Sequence, residues 1–291
     1  MIRTVQRVDL DSDRYCVNAE IYNSSTDMLK DLKKRKITDS RFHDVRNEKL
    51  DACWCGVKTY NQALELLGEG YSPAVTQIYK EIKTKSGRSI DGINSGFEVI
   101  ASVEGYQPIV PLTLCGIPNN MLTRKVERIE SRVFNLFIDT TCVSTTTIDD
   151  LVLCGIQLIK FIYNMEMCGH KINLYMCEAF AGEAGADLLC IKTKNSSSPL
   201  DLKRISFPLC HTAFTRVICF DWYSKFPLGV YRKRYGTTLI NAVGKENADR
   251  LMKKLFGAAS LLVTYEELKT GGEAYLRQAL EIGKIITKKN A

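Results

Sequence analysis

The sequence predicts an α/β protein, in which a mainly parallel sheet with helices on both faces follows a small, mostly helical N-terminal lobe. Residues 1–130 are polar and contain separate helix signals, whereas in residues 131–291 short apolar runs alternate with amphipathic segments. Such alternation is typical of strand–helix–strand units. The chain of 291 residues is 45% hydrophobic and 25% charged, which is enough apolar material for a substantial core.

The helix signals of the N-terminal lobe are caps and stops. Ser25 can begin a helix over "STDMLKDLKKRK". A capping box in "TYNQ" begins a second helix, for which Gly68 is the predicted end. Pro73 stands at the start of a third, where its missing N–H costs nothing. These signals assign residues 1–130 to a mostly helical lobe.

The C-terminal half, residues 131–291, begins with "VFNLFID", a strand that is apolar on both faces, as a buried central strand requires. A capping box from Thr147 to Asp150 begins a long helix that ends near Gly169. "KINLYMCEAF" and "DLLCIKTK" are predicted strands, and a helix broken at Pro208 follows them. The order then continues with "KENADRLMKKLF" as a helix, "ASLLVTY" as a strand and "GEAYLRQALEIGKII" as the closing helix.

Composition argues against several classes of protein. The eleven cysteines are odd in number and many lie within apolar runs, which argues against a disulfide scaffold. The "CWC" stretch lacks the spacing of a zinc knuckle or a redox helix.

The apolar segment from Leu151 to Tyr163 is interrupted by Gln157 and Lys160 and is shorter than the roughly 18 residues that span a bilayer. The first residues have no apolar core of a secretory signal. We therefore expect a cytosolic protein with no membrane partner.

The stretch "DTTCVSTTT" is the candidate site, because ligands of open α/β sheets bind at the carboxyl ends of the strands. Asp139 offers a carboxylate, Thr141 a hydroxyl and Ser144 a further oxygen. These are hard ligands suited to Mg²⁺ or another divalent cation, and we identify no other cofactor candidate. The same residues also suit a capped strand-to-helix turn, so both interpretations stay open.

The formal net charge of +7 suits an acidic partner such as RNA. Most basic runs are typical of solvated helix faces. In "YRKRY", however, aromatic residues flank three consecutive cations, a pattern that suits phosphate contact and base stacking. The candidate nucleic-acid contacts are Tyr231, Arg232, Lys233, Arg234 and Tyr235.

The stretch "FIDTTCVS", its long helix and the following "HKINLYMCEAF" resemble a von Willebrand factor A-like domain, whose sheet is Rossmann-like. In that family an Asp-x-Ser-x-Ser motif holds a divalent cation that accepts a carboxylate from a partner. The resemblance implies Asp139 and Thr141 as ligands. The third position is Val143, which has no oxygen, and Ser144 follows one place later. No strand ends in Thr-Asp-Gly to supply the family's distant acidic ligand, so the resemblance implies a degenerate metal-site motif.

Three blocks extend a resemblance over nearly the whole chain: "WCGVKTYNQALELLGEGY", "SVEGYQPIVPLTLCGIPNNM" and "PLDLKRISFPLCHTAFTRVICFDW". They are similar to an uncharacterised family of phage and prophage proteins with a von Willebrand A-like C-terminal half. The resemblance implies a viral origin and a location in the cytoplasm of the bacterial host, with association with the virion as an alternative.

No nucleophile, base and orienting group can be assembled from the sequence, which favours a non-enzymatic binding or assembly protein whose partner is a phage or host protein. Two alternatives remain open. One is RNA binding, because Ro-type RNA-binding proteins also carry a von Willebrand A-like domain. The other is a metal-dependent phosphoesterase that would use Asp139, Glu178 and Asp201, which all lie near predicted strand ends or loops.

Overall fold

The computed structural model describes residues 3–10, 15–35, 46, 49–85, 97–105, 107–126, 132–167, 170–181, 185–224, 238–272 and 276. The strands are β1 (Arg3–Leu10), β2 (Tyr15–Tyr22), β3 (Phe97–Ser102), β4 (Gln107–Pro108), β5 (Met121–Val126), β6 (Val133–Asp139), β7 (Lys171–Ala181), β8 (Gly185–Lys194) and β9 (Ser260–Thr264). The helices are α1 (Ser25–Lys34), α2 (Ala52–Cys55), α3 (Tyr60–Glu69), α4 (Ser72–Lys85), α5 (Val110–Leu114), α6 (Ile148–Met167), α7 (Leu202–Cys210), the π-helix Phe214–Cys219, α8 (Phe220–Tyr223), α9 (Leu239–Val243) and α10 (Lys245–Phe256).

Six strands form the main sheet in the order β1-β2-β8-β7-β6-β9. The pairings of β6 with β7, β6 with β9 and β2 with β8 are parallel, and the other two are antiparallel. The predicted α/β class with a mainly parallel sheet is therefore confirmed. Strands β3, β5 and β4 form a separate antiparallel sheet in that order.

Apolar side chains cover both faces of the main sheet. Leu136 and Ile138 of β6 belong to a core cluster that includes residues of α1, α3, α4, α6 and α7. Phe137, which points the opposite way, belongs to a second cluster with residues of α9 and α10. Because side chains alternate along a strand, the strand β6 is buried from both sides, as the apolar residues on both of its faces predicted.

Local signals placed most elements of the C-terminal half correctly. Strands β6, β7, β8 and β9 and helices α6 and α10 lie where the alternation predicted them. The predicted capping box is present: the N–H of Asp150 donates to Thr147 Oγ1, and the N–H of Thr147 donates to Asp150 Oδ2, each at 3.2 Å. The predicted closing helix, 272–286, falls largely outside the described residues, although 265–272 is helical.

Residues 1–130 contain the predicted helices α1, α3 and α4, but their described part also contains five strands, β1 to β5, that the sequence did not predict. Helix α1 begins one residue earlier than expected, since Ser24 and not Ser25 caps it by accepting the N–H of Asp27. Strands β1 and β2 pair in register from Arg3↔Tyr22 to Leu10↔Tyr15 and extend the main sheet through β8. Strand β1 is an edge strand with several exposed side chains, so its apolar alternation is weak.

The segment 202–224 also differs from its prediction. Helix α7 runs through Pro208 and ends at Cys210, and His211 then adopts an extended conformation. Every side chain from Ile205 to Cys210 is buried, and this packing holds the turn around the proline in place. Consequently the break falls after Pro208 rather than at it.

Candidate functional site

The candidate site lies where β6 ends, and β6 is an interior strand between β7 and the edge strand β9. Asp139 is the last residue of β6 and is in register with Cys177 of β7 and Thr264 of β9. All three strands are parallel, so their carboxyl ends share one edge of the sheet. Residues 140–147 then lead into α6. The predicted stretch therefore does lie at the carboxyl edge of the sheet.

Asp139 is sealed inside the protein, with 1% of its surface exposed. Its Oδ1 accepts the N–H of Thr141 at 3.1 Å, and its Oδ2 accepts the N–H of Leu239, the first residue of α9, at 2.7 Å. Burial raises the pKa of Asp139 to about 6, while these hydrogen bonds act to lower it. The carboxylate thus links the turn after β6 to the start of α9.

Glu178 of β7 places a second buried carboxyl group beside Asp139. Its Oε2 accepts the hydroxyls of Thr140 at 2.8 Å and Thr215 at 3.3 Å. Burial, and secondly the charge of Asp139, raise the pKa of Glu178 to about 8. At neutral pH Glu178 is therefore mainly protonated, and the two groups together carry close to one negative charge.

These oxygens do not complete a shell for a hard cation. Thr141 Oγ1 and Glu178 Oε1 are buried without a hydrogen-bond partner among the described residues, so each could in principle ligate. Mg²⁺, however, requires about six oxygens and usually keeps several waters, and both carboxyl groups are closed to solvent. The described part of the chain also has no cluster of three or more His, Cys, Asp or Glu placed to hold a metal. The residues present do not fit Mg²⁺.

Ser144 is not part of this buried group. It is exposed, as is Val143, at 63%, and the loop carbonyls around it bind an arginine. Arg216 Nη2 donates to the carbonyl oxygens of Val143, Ser144 and Thr146 at 3.0, 3.1 and 3.1 Å. Its Nη1 donates to the carbonyl of Trp54, and its Cζ lies 5.2 Å from the centre of the Trp54 indole ring. A fixed guanidinium, only 4% exposed, therefore holds the loop in shape.

The π-helix Phe214–Cys219 supplies two neighbouring residues to this region. Thr215 bonds to Glu178 and also donates to the carbonyl of Thr140 at 2.8 Å, while Arg216 binds the loop. Short π-helical segments often occur at functional sites. Sequence reasoning missed both residues. The available signal was a charged residue within the apolar run "FTRVIC", since an arginine is rarely buried unless it is paired.

Trp54 lies in the short helix α2, which ends in a tight turn at Gly56. Asp51 caps α2 by accepting the N–H of Cys53, and Gly56 ends the helix with φ 77°, a conformation that favours glycine. A cleft of about 300 Å³ opens beside this turn and the loop. It is lined mainly by small polar side chains, including Cys53, Ser144 and Thr212, together with the first residues of α6.

The third carboxylate considered for a phosphoesterase is not part of the site. Asp201 caps α7 by accepting the N–H groups of Lys203 and Arg204. It follows β8, which runs antiparallel to β7, so the chain leaves β8 at the edge opposite Asp139 and Glu178. The candidate nucleic-acid segment, 231–235, lies outside the described residues.

Fold and site together define an α/β protein with a sealed carboxyl pair at the carboxyl edge of a mainly parallel sheet. No described helix combines the length and apolar character needed to cross a membrane. The chain belongs to the family described as "Domain of unknown function (DUF7192)", whose profile matches residues 13–259. No curated protein and no solved structure matches the chain.

Proposed function

We propose that this is a non-enzymatic, phage-encoded binding or assembly protein, which binds a phage or host protein at the carboxyl edge of a von Willebrand A-like half in the host cytoplasm. The proposal depends on the contrast between the buried carboxyl groups of the site and the exposed loop that follows β6. The carboxyl groups are buried and held by internal hydrogen bonds, whereas the loop above them is exposed and rigidly held.

The topology around β6 supports a von Willebrand A-like arrangement. A central strand ends in Asp139, a long helix follows, and the next strand pairs parallel to the first. Strand β9 pairs parallel on the other side of β6. This arrangement leaves the loop after β6 at the edge where the family engages its partners.

The site chemistry favours binding over catalysis. A general base must come within hydrogen-bond reach of its substrate, and neither Asp139 nor Glu178 has more than 1% of its surface exposed. In this proposal the metal-site motif is degenerate. Arg216 holds the loop after β6 by donating to the backbone carbonyl groups of that loop. The planar guanidinium donates to three loop carbonyls, so contacts within the protein hold the loop in one shape.

The surface offered to a partner combines Val143 and Trp54 with the rim of the polar cleft, and we call it the loop surface. Val143 is 63% and Trp54 38% exposed. Both belong to segments bound by the same guanidinium, so they lie close together. An exposed tryptophan such as Trp54 is a typical anchor of a protein interface, and Val143 extends the apolar surface beside it.

Affinity capture with matched surface variants tests this function. Tagged wild-type protein, Val143→Asp and Val5→Asp would each be incubated with nuclease-treated host and phage-infected lysates, and bound proteins quantified by mass spectrometry. Val5, 60% exposed on the edge strand β1, is the control. We expect a polypeptide that binds the wild type and Val5→Asp but is reduced about tenfold or more with Val143→Asp, a loss of about 1.4 kcal/mol.

The captured polypeptide would then be purified and its affinity for the three proteins measured. Equal affinity for all three would reject the loop surface as the binding site. RNA recovered without nuclease treatment, and lost when Arg232, Lys233 and Arg234 are replaced by Ala, would support the RNA-binding alternative instead. The position of the gene within a phage or prophage genome tests the viral origin.

A further inference from the structure

Two buried cysteines face each other across the central strands of the sheet. Cys177 of β7 and Cys190 of β8 are directly opposite in the antiparallel register, and their Sγ atoms are 3.3 Å apart. Both are free thiols and at most 1% exposed. They are therefore a matched pair rather than two isolated core residues.

The backbone at this position already has disulfide spacing. Directly opposite residues in antiparallel strands have Cα atoms about 4.5–5.5 Å apart, and disulfides form over about 4.4–6.8 Å. Rotation of the two side chains must bring the sulfurs from 3.3 Å to a bond length of about 2.0 Å. No strand has to move to another register.

We propose that Cys177 and Cys190 are a redox modification site, in which a peroxide oxidises the two thiols to an intramolecular cross-strand disulfide. With hydrogen peroxide, the thiolate of one cysteine attacks one peroxide oxygen and the O–O bond breaks, which gives a sulfenic acid and a hydroxide that takes the first thiol proton to become water. The second thiol attacks that sulfur, the S–S bond forms, and the hydroxyl leaves as a second water. Two electrons pass from sulfur to oxygen, and both thiol protons end in water.

The position of the bridge connects it to the carboxyl pair. Cys177 is in register with Asp139 and immediately precedes Glu178. A disulfide would join β8 covalently to the strand that carries Glu178, directly beside the site. Reduction by a dithiol would restore the two free cysteines. This inference does not depend on the proposed partner binding.

Burial determines how the reaction proceeds. An oxidant reaches these thiols only when β7 and β8 separate transiently, so oxidation is slow in the native protein and faster in mild urea. Exposed cysteines react first, and Cys53 and Cys115 are exposed. The full-length protein with Cys53→Ser and Cys115→Ser therefore serves as the starting protein, because both changes lie at the surface.

The test is treatment with hydrogen peroxide with and without subdenaturing urea, followed by alkylation of free thiols in denaturant and peptide mapping. We expect a cross-linked Cys177–Cys190 peptide, lighter by two hydrogens and lost after dithiothreitol. About tenfold less alkylation is expected at both residues than at buried Cys154. Cys190→Ser should abolish the peptide. The proposal would be overturned if Cys177 and Cys190 were fully alkylated after oxidation, or if they formed cross-links to other cysteines instead. The starting protein gives this result even if Cys190→Ser does not fold.

Discussion

Replacing Glu178 by Gln should remove a large part of the pH dependence of the free energy of unfolding. The pKa of Glu178 is raised from 4.5 to about 8 in the folded protein. The folded state therefore holds a proton that the unfolded state releases. The associated stability is fully present below about pH 4.5 and is lost as the pH rises towards 8.

The magnitude follows from the size of this shift. Each pKa unit corresponds to about 1.36 kcal/mol, so the whole loss, from well below pH 4.5 to well above pH 8, amounts to about 5 kcal/mol, of which about 3 kcal/mol has occurred by pH 7. Gln mimics the protonated acid in shape, and its amide oxygen can still accept the hydroxyls of Thr140 and Thr215, which now bond to Glu178 Oε2. The variant cannot titrate.

Urea unfolding at intervals between about pH 5 and 9 measures the effect. We expect the stability of the wild type to fall over this range relative to Glu178→Gln. The control is Glu246→Gln, at an exposed position of α10 where the carboxylate lies 3.5 Å from Arg250, and its curve should follow the wild type. If Glu178→Gln and the wild type differ only by a constant offset at every pH, Glu178 does not hold the buried proton described above.

Two further predictions concern the loop and the metal. Arg216→Met should lower the free energy of unfolding by about 3 kcal/mol or more, because four backbone carbonyls lose their donor. Arg216→Lys should recover only part of this loss. A loss below about 1 kcal/mol for Arg216→Met, measured by urea unfolding, would contradict the prediction. Removing divalent cations with EDTA should shift Tm by less than about 1 °C, since the core is apolar and the donor set around Asp139 is incomplete. A fall of several degrees that Mg²⁺ reverses would show that the loop binds a structural cation.

Local sequence signals determined the α/β class and most of the C-terminal half. The apolar run of β6, the alternation that followed it and the capping box at Thr147 depend on neighbouring residues alone. Such signals survive in any tertiary context, which explains why α6 and α10 begin close to their predicted positions. The glycine at the end of "CWCG" likewise ends α2 at Gly56 because the left-handed conformation is a local requirement.

The two N-terminal strands of the main sheet, β1 and β2, gave no comparable signal. Strand β1 has exposed residues at its centre, and β2 acquires its burial from β8, a strand that lies far along the chain. The propensity of β2 for the extended conformation therefore became decisive only when β8 provided a partner. The course of α7 through Pro208 has the same origin, since the packing of its buried side chains is a tertiary property.

The sequence by itself determined that Asp139 and Thr141 would lie at a strand end of an α/β sheet. Only the tertiary structure brought Glu178, Thr215 and Arg216 to that position, from a neighbouring strand and a π-helix. It also decided the chemistry, because the same carboxylate ligates a cation when solvated but retains a proton when buried beside another acid. Burial depends on which segments pack together, and no local pattern in the sequence encodes that packing.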